Sequence, residues 1–327
     1  MLNPYLHLNP KIFDKEAEQK PTRDGFGDAL VELGEKNKNV VVLTADLSES
    51  TRTDAFAKKF PDRFFEVGVA EQNMAAIAAG LAVSGKIPFI SSYATFSPGK
   101  NWETIRTTII YNNANVKIAG HHSGIVTGPD GATHQATEDI AIVRSWPGVQ
   151  IMVPCDSIEA KKATIESLKH KGPSYLRFTR DKTPVMTTEK TPFKPVQTFW
   201  TSESPKAVIF ATGHMLYHAL LAAKELEKAK INVLVTNVAQ IKPLDEKAII
   251  ELVKKAGKVV TVEDHQVMGG LGGAISELLG RELPAPIEFI GLQDTFAESG
   301  KPVELMKKYK MDPTAIISAV KKVISRK

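Results

Sequence analysis

The chain has 327 residues, 43% of them hydrophobic, and a net charge of +5 with acids and bases interspersed. That length accommodates two α/β domains with a substantial buried core. The mild, mixed charge argues against a nucleic-acid binder and is compatible with an anionic small substrate. No stretch approaches the roughly eighteen consecutive apolar residues of a membrane span, and residues 1–20 lack the pattern of a secretory signal. That segment, with Pro4 and Pro10, reads as a polar arm that packs on a partner. The single cysteine, Cys155, cannot form an internal disulfide, and no Cys/His cluster has zinc spacing, which fits a reducing cytoplasm.

In chain order, Val40–Thr44 reads as a buried strand and Phe64–Val69 as a second, running into an alanine-rich helix over 72–83. Further strands are expected at 88–92, 116–119, 149–153 and 175–178, with helices at 102–111 and 157–169. Strands alternating with helices imply a parallel sheet covered on both faces. Around Thr183–Pro205 the pattern breaks into a Thr/Lys-rich stretch with Pro184, Pro192, Pro195 and Pro205, which reads as a linker. Alternation then resumes, with strands at 207–210, 231–235 and 259–262, and helices at 216–228, 245–255, 269–279 and 314–323. The expected division is an arm (1–20), a first α/β domain (21–183), a linker (184–205) and a smaller α/β domain (206–327). The glycines of Met268–Gly273 lack the strand, spacing and distant acid of a dinucleotide loop and read as close helix packing.

Several separate segments carry a resemblance. They are Thr22-Arg23; Ala45-Asp46-Leu47-Ser48-Glu49-Ser50; Val67 through Met74, which contains Glu71; Ser91 through Phe96; and Gly120 through Gln135. In this order they resemble the transketolase family, and the likeness runs from Pro21 to about Ser325. Ile241–Asp245, Val262–His265 and Met268–Gly273 are similar to the C-terminal domain that transketolases share with deoxyxylulose-phosphate synthases and 2-oxoacid dehydrogenase β subunits. The resemblance implies a parallel-sheet pyrimidine-binding domain followed by the transketolase C-terminal domain. The chain has no Gly-Asp-Gly, the family's diphosphate motif. It therefore implies the C-terminal half of a split enzyme. A partner chain, the N-terminal subunit, would bind the diphosphate of thiamine diphosphate and its Mg2+ or Ca2+, in an α2β2 assembly without metal ligands here.

The resemblance also implies roles. Thiamine chemistry needs one fixed carboxyl at the pyrimidine N1′, which lets the cofactor's own amino group take the C2 proton. Glu71 is that carboxyl by the match; by position alone it is equally a first-turn glutamate that favours the helix dipole. Phe96 is implied to stack on the pyrimidine, with Tyr93 or Trp102 sharing the contact, because Ser97–Asn101 carries one residue more than the family pattern. Asp46 and Leu47 are implied to flank the cofactor. His122 and His134 are implied beside the reacting carbon and sugar hydroxyls, and Asp130 beside a sugar hydroxyl. His121 is expected to be a packing residue. Arg23, Ser50 and Arg180 are implied to hold the distal phosphate of a sugar phosphate, with Arg177 as a rival to Arg180. Ketol transfer between sugar phosphates of the pentose phosphate pathway is the reaction implied. A deoxyxylulose-phosphate-synthase-like subunit, a dehydrogenase β subunit and a non-catalytic assembly subunit stay open beside it.

Overall fold

The structure, a computed structural model, describes residues 1–326. Six parallel strands from the first half form most of a seven-stranded sheet. They are β1 (Val40–Thr44), β2 (Phe64–Glu66), β3 (Ile87–Tyr93), β4 (Lys117–His121), β5 (Gln150–Met152) and β6 (Ser174–Arg177). The second sheet has five strands: β7 (Val196–Trp200), β8 (Ala207–Ala211), β9 (Val233–Val238), β11 (Val259–Gln266) and β12 (Ile287–Leu292). Here β8, β9, β11 and β12 pair parallel and β7 adds antiparallel to β9. Strand β1, apolar except for Thr44, and the all-apolar β8 are buried at every position, as parallel strands covered on both faces must be.

Three features depart from the sequence-based expectation. First, β10 (Gln240–Lys242), from the second half of the chain, pairs antiparallel with β5 and completes the order β10-β5-β6-β4-β3-β1-β2. Second, the stretch read as a linker contains β7, and the amides of Met186 and Thr187 donate to the Asp156 carboxylate. Third, the arm packs on its own chain. The Asn3 amide donates to the Phe199 carbonyl, Ile12 is fully buried, and Phe13 meets Trp200 edge-on at 6.2 Å. One apolar cluster runs from Val41 and Ile118 through to Val208, Phe210 and Val259, so the two sheets share a core.

Local chemistry fixes the junction between the two sheets. Asp264, on β11, accepts the Ile125 amide at 2.9 Å and the Val126 amide at 3.4 Å, and contacts His214 Nε2 at 3.0 Å. Gly124 sits at φ +80, and a Cβ there would lie 2.0 Å from Asp264 Oδ2, so only glycine allows this approach. The glycine-rich turn before the helix Leu271–Glu282 is closed from within: Leu271 and Gly272 donate their amides to the two Glu263 oxygens at 2.7 and 2.8 Å. The helix N-terminus that would otherwise attract a phosphate thus holds the protein's own carboxyl.

Lys117 of β4 is fully buried, and its ammonium donates to the carbonyls of His170 and Gly172 and to Ser174 Oγ. Burial pushes it down from 10.5 to about 7. In the unfolded chain it keeps the ordinary value, so between the two the unfolded state binds more protons and stability rises with pH. Thermal midpoints of the purified chain from pH 7 to 10 should therefore carry a rising contribution, at most about 1.4 kcal/mol per pH unit. In Lys117→Met that contribution disappears; equal slopes in both proteins would refute it.

Candidate active site

In an open parallel sheet the strand C-termini form the crevice that receives ligands. The implied site residues lie at that edge. Asp46, Leu47 and Ser50 follow β1, Glu71 follows β2, Tyr93 closes β3 with Phe96 just beyond, His122 follows β4 and Arg180 follows β6. Arg23 enters from the first turn of the helix Thr22–Lys36.

Glu71 opens the helix Glu71–Val83 and is 1% exposed. Its Oε2 receives Lys100 Nζ at 2.7 Å, and its carbonyl accepts Asn101 Nδ2 at 3.0 Å. The same edge of the sheet carries an aromatic stack. Tyr93 stacks on His122 at 3.8 Å between ring centroids and on Phe96 at 5.8 Å, and His134 meets Phe96 edge-on at 5.5 Å. Tyr93 is thus sandwiched between His122 and Phe96, while Trp102 lies against Trp146 at 6.2 Å. Ser92 Oγ, Thr95 Oγ1, Asn101 Oδ1 and His122 Nδ1 are buried without a hydrogen-bond partner, which is uncommon for interior polar atoms.

Beside this stack the cations crowd. Arg23 Nη1 donates to the Ser50 carbonyl at 2.7 Å, and Arg180 Nη1 to the Thr127 carbonyl at 2.9 Å, with Asp130 Oδ1 3.5 Å away. Arg52, which the sequence did not single out, joins them through its pair with Asp24 at 2.7 Å. Burial and then Arg52 hold Arg23 below its usual range, and its Nε has no partner. Burial first, then Arg23, Arg180, His134 and Arg52, pushes His122 down to about 3. His122 is therefore a neutral imidazole at pH 7, held at φ +54, and serves as a hydrogen-bonding group rather than a cation. Partly buried arginines that repel one another are a surrounding that an anion would stabilise.

Among the neighbouring candidates, the structure separates two. His121, fully buried, packs on Phe26 and Phe178 with centroids at 5.0 and 5.2 Å, and its ring belongs to the core. Arg177 is also buried: Nε and Nη2 grip both Asp139 oxygens at 2.8 and 3.1 Å, and Nη2 reaches the carbonyls of Ala136 and Asp264. With its Nε and Nη2 committed to these partners and the side chain only 3% exposed, it is built into the interior. Asp46 turns at φ +60 with its amide on Glu66, and its own carboxylate is exposed; Leu47 gives its carbonyl to Thr51. His134 Nδ1 contacts Thr133 Oγ1 at 2.9 Å. Lys100 was missed because it falls in the irregular stretch Thr95–Lys100; the one extra residue after Phe96 was the available signal.

A sheet with its sites at the strand C-termini and a second, smaller α/β unit joined by a shared core defines a two-domain α/β protein. Comparison with known proteins says which. Residues 18–186 match the transketolase pyrimidine-binding domain and residues 200–316 the transketolase C-terminal domain. The chain belongs to the transketolase family and corresponds to the C-terminal section of its split form. A Methanocaldococcus jannaschii protein that carries the provisional name of a transketolase C-terminal section is 43% identical, over 92% of this chain and 95% of its own. A 6-deoxy-6-sulfo-D-fructose transketolase subunit from Clostridium sp. strain MSTE9 is 36% identical, over 96% and 98%. A split-gene transketolase, solved as an inactive β4 tetramer, superposes with a TM-score of 0.87 at 42% identity, covering 93% of this chain and 98% of that one. Among the described residues, no helix is long and apolar enough to cross a membrane, and no group of three or more His, Cys, Asp and Glu could hold a metal.

Proposed function

We propose that this chain is the C-terminal subunit of a thiamine-diphosphate-dependent transketolase, moving a two-carbon ketol unit from a ketose phosphate to an aldose phosphate. The observation that carries the reading is the buried carboxyl of Glu71 at the same strand C-terminal edge as an aromatic stack and an arginine cluster. The residues fit the pyrimidine end of the cofactor: Phe96 offers a ring face, Glu71 a carboxyl, and Ser92 and Thr95 unpartnered hydroxyls. When bound, the cofactor supplies a nucleophilic carbon and the sink for the electron pair released as the ketose C2–C3 bond breaks. Glu71 holds the proton shared with the pyrimidine N1′. His122 and His134 hydrogen-bond the sugar oxygens near the reacting carbon, Asp130 orients a neighbouring hydroxyl, and Arg23, Arg180 and Ser50 hold the distal anion.

The diphosphate and its Mg2+ or Ca2+ fall to a partner chain, two copies of each making the active tetramer. The inactivity of the related β4 assembly supports a need for a second kind of chain. So do Val69, Val83 and Tyr111, 69%, 81% and 88% exposed at the two ends of the Glu71 helix and beside it, apolar surface suited to an obligate interface.

The test pairs the chain with a partner carrying the diphosphate-binding domain and assays a panel of ketose and aldose phosphates, with 6-deoxy-6-sulfofructose included because a sulfonate also suits guanidinium groups. Arg180 grips a group far from the breaking bond, so its contact is alike in ground and transition states and acts on KM. Arg180→Ala should raise KM for phosphorylated sugars about 10- to 100-fold with kcat nearly unchanged. Hydroxypyruvate, which has no phosphate, should be unaffected, and Arg180→Lys should recover part of the loss. An equal loss for hydroxypyruvate and sugar phosphates would remove Arg180 from the anion site.

A further inference from the structure

The contact between Lys100 and Glu71 does something the reaction itself does not call for. Among the described residues, Lys100 is the side chain that hydrogen-bonds the Glu71 carboxylate, with Nζ 2.7 Å from Oε2. The two ends of the pair differ sharply: Glu71 is 1% exposed and the Lys100 side chain 45%. Lys100 closes the stretch Thr95–Lys100, which contains Phe96 and is interrupted by non-helical geometry at Ser97. The next residue, Asn101, is 1% exposed and bonded both to the Glu71 carbonyl and to Ser97 Oγ, so the base of this segment is fixed. Only the lysine's four-carbon stem is free to move.

A carboxyl that must share a proton with a ring nitrogen cannot keep an ammonium on its oxygen. The ammonium occupies a place on the carboxyl that the ring nitrogen would need, and it repels a protonated ring. A bare carboxylate, however, cannot stay buried without a partner. We propose that Lys100 is a latch. It neutralises Glu71 while the site is empty of cofactor, and it swings to solvent when a pyrimidine ring takes the place against Phe96. Its half-exposed ammonium regains hydration on leaving, so release is cheap compared with uncovering a deeply buried ion. The latch sets a threshold on cofactor capture: the binding-competent state is the unlatched fraction, and the apparent Kd is raised in proportion. It rests on the thiamine diphosphate reading above.

The test measures Kd for thiamine diphosphate in the reconstituted pair. A latch closed about nine times in ten predicts that Lys100→Met tightens binding about 10-fold. Lys100→Arg, which keeps the cation, should bind no more tightly than the unaltered pair. Inorganic pyrophosphate, which has no pyrimidine, should bind all three alike. In a Glu71→Gln background Lys100→Met should give no further tightening. In the isolated chain Lys100→Met should lower the thermal midpoint by about 2 °C or more, since the buried carboxylate loses its partner. Unchanged or weaker thiamine diphosphate binding in Lys100→Met would overturn the latch while leaving the proposed function standing. Failure of the unaltered pair to bind thiamine diphosphate at all would overturn both.

Discussion

Glu71→Ala should lower the turnover of the reconstituted enzyme by about 10²–10⁴-fold, the range of a positioned acid–base group. The fold should hardly notice. Glu71 sits at the first position of its helix, where alanine is well tolerated, and the helix is packed through Met74, Ala75, Ala78 and Ala79 rather than through the carboxyl. Lys100, left without a partner, is exposed enough to return to water. The decisive measurement is the exchange rate of the C2 proton of bound thiamine diphosphate, followed by quenched-flow NMR. Exchange at the unaltered rate in Glu71→Ala would take the carboxyl out of the chemistry, whatever happened to turnover.

Arg177→Met should cost about 3–5 kcal/mol of stability, the penalty for leaving one member of a buried ion pair behind. Burial works to raise the Asp139 carboxyl, and Arg177 outweighs it and holds that group below its ordinary value. A depressed carboxyl contributes stability at neutral pH and loses it only as pH falls through the folded value. In the single variant Asp139 keeps the Tyr175 hydroxyl at 2.6 Å but loses both guanidinium contacts, and the Asp264 and Ala136 carbonyls lose the guanidinium N–H, Ala136 keeping the Gly124 amide at 2.7 Å. The double variant Arg177→Met, Asp139→Asn removes the stranded charge and should recover most of the loss. Urea midpoints of the four proteins in the cycle decide it. A single variant within about 1 kcal/mol of the parent would show that the pair is solvated and the penalty absent.

The strands that rest on continuous apolar runs were legible, because burial on both faces leaves no other use for Val40-Val41-Val42-Leu43. The helix Thr22–Lys36 was not, because Gly25, Gly27 and Gly34 depress its local preference. The structure gives a reason at Gly25: a Cβ there would lie 1.8 Å from the Ser157 carbonyl, where this helix crosses the helix Ser157–Glu166. Strand β7 was masked by the prolines on either side of Val196–Trp200, and β10 is three residues whose pairing depends on a strand far earlier in the chain (Gln240 beside Met152). The family motifs pointed to residues that the fold gathers at the strand C-termini, but motif spacing carries no information about side-chain partners. Arg177 and Arg180 look equivalent in sequence, and only the position of Asp139 tells them apart. Lys100 and Arg52 were illegible for the same reason: each acquires its meaning from a carboxylate distant in the chain.

Strand β10 also bears on how this chain can be cut or shortened. A fragment ending near residue 205 would retain every implied catalytic side chain, yet it would lose Gln240–Lys242 and lay bare the backbone of Gln150–Met152. An uncovered edge beside apolar neighbours such as Ile151 and Val153 is a template on which other chains add strands. The second half of the protein thereby guards an edge of the first against aggregation, although the side chains implied in catalysis all lie in the first.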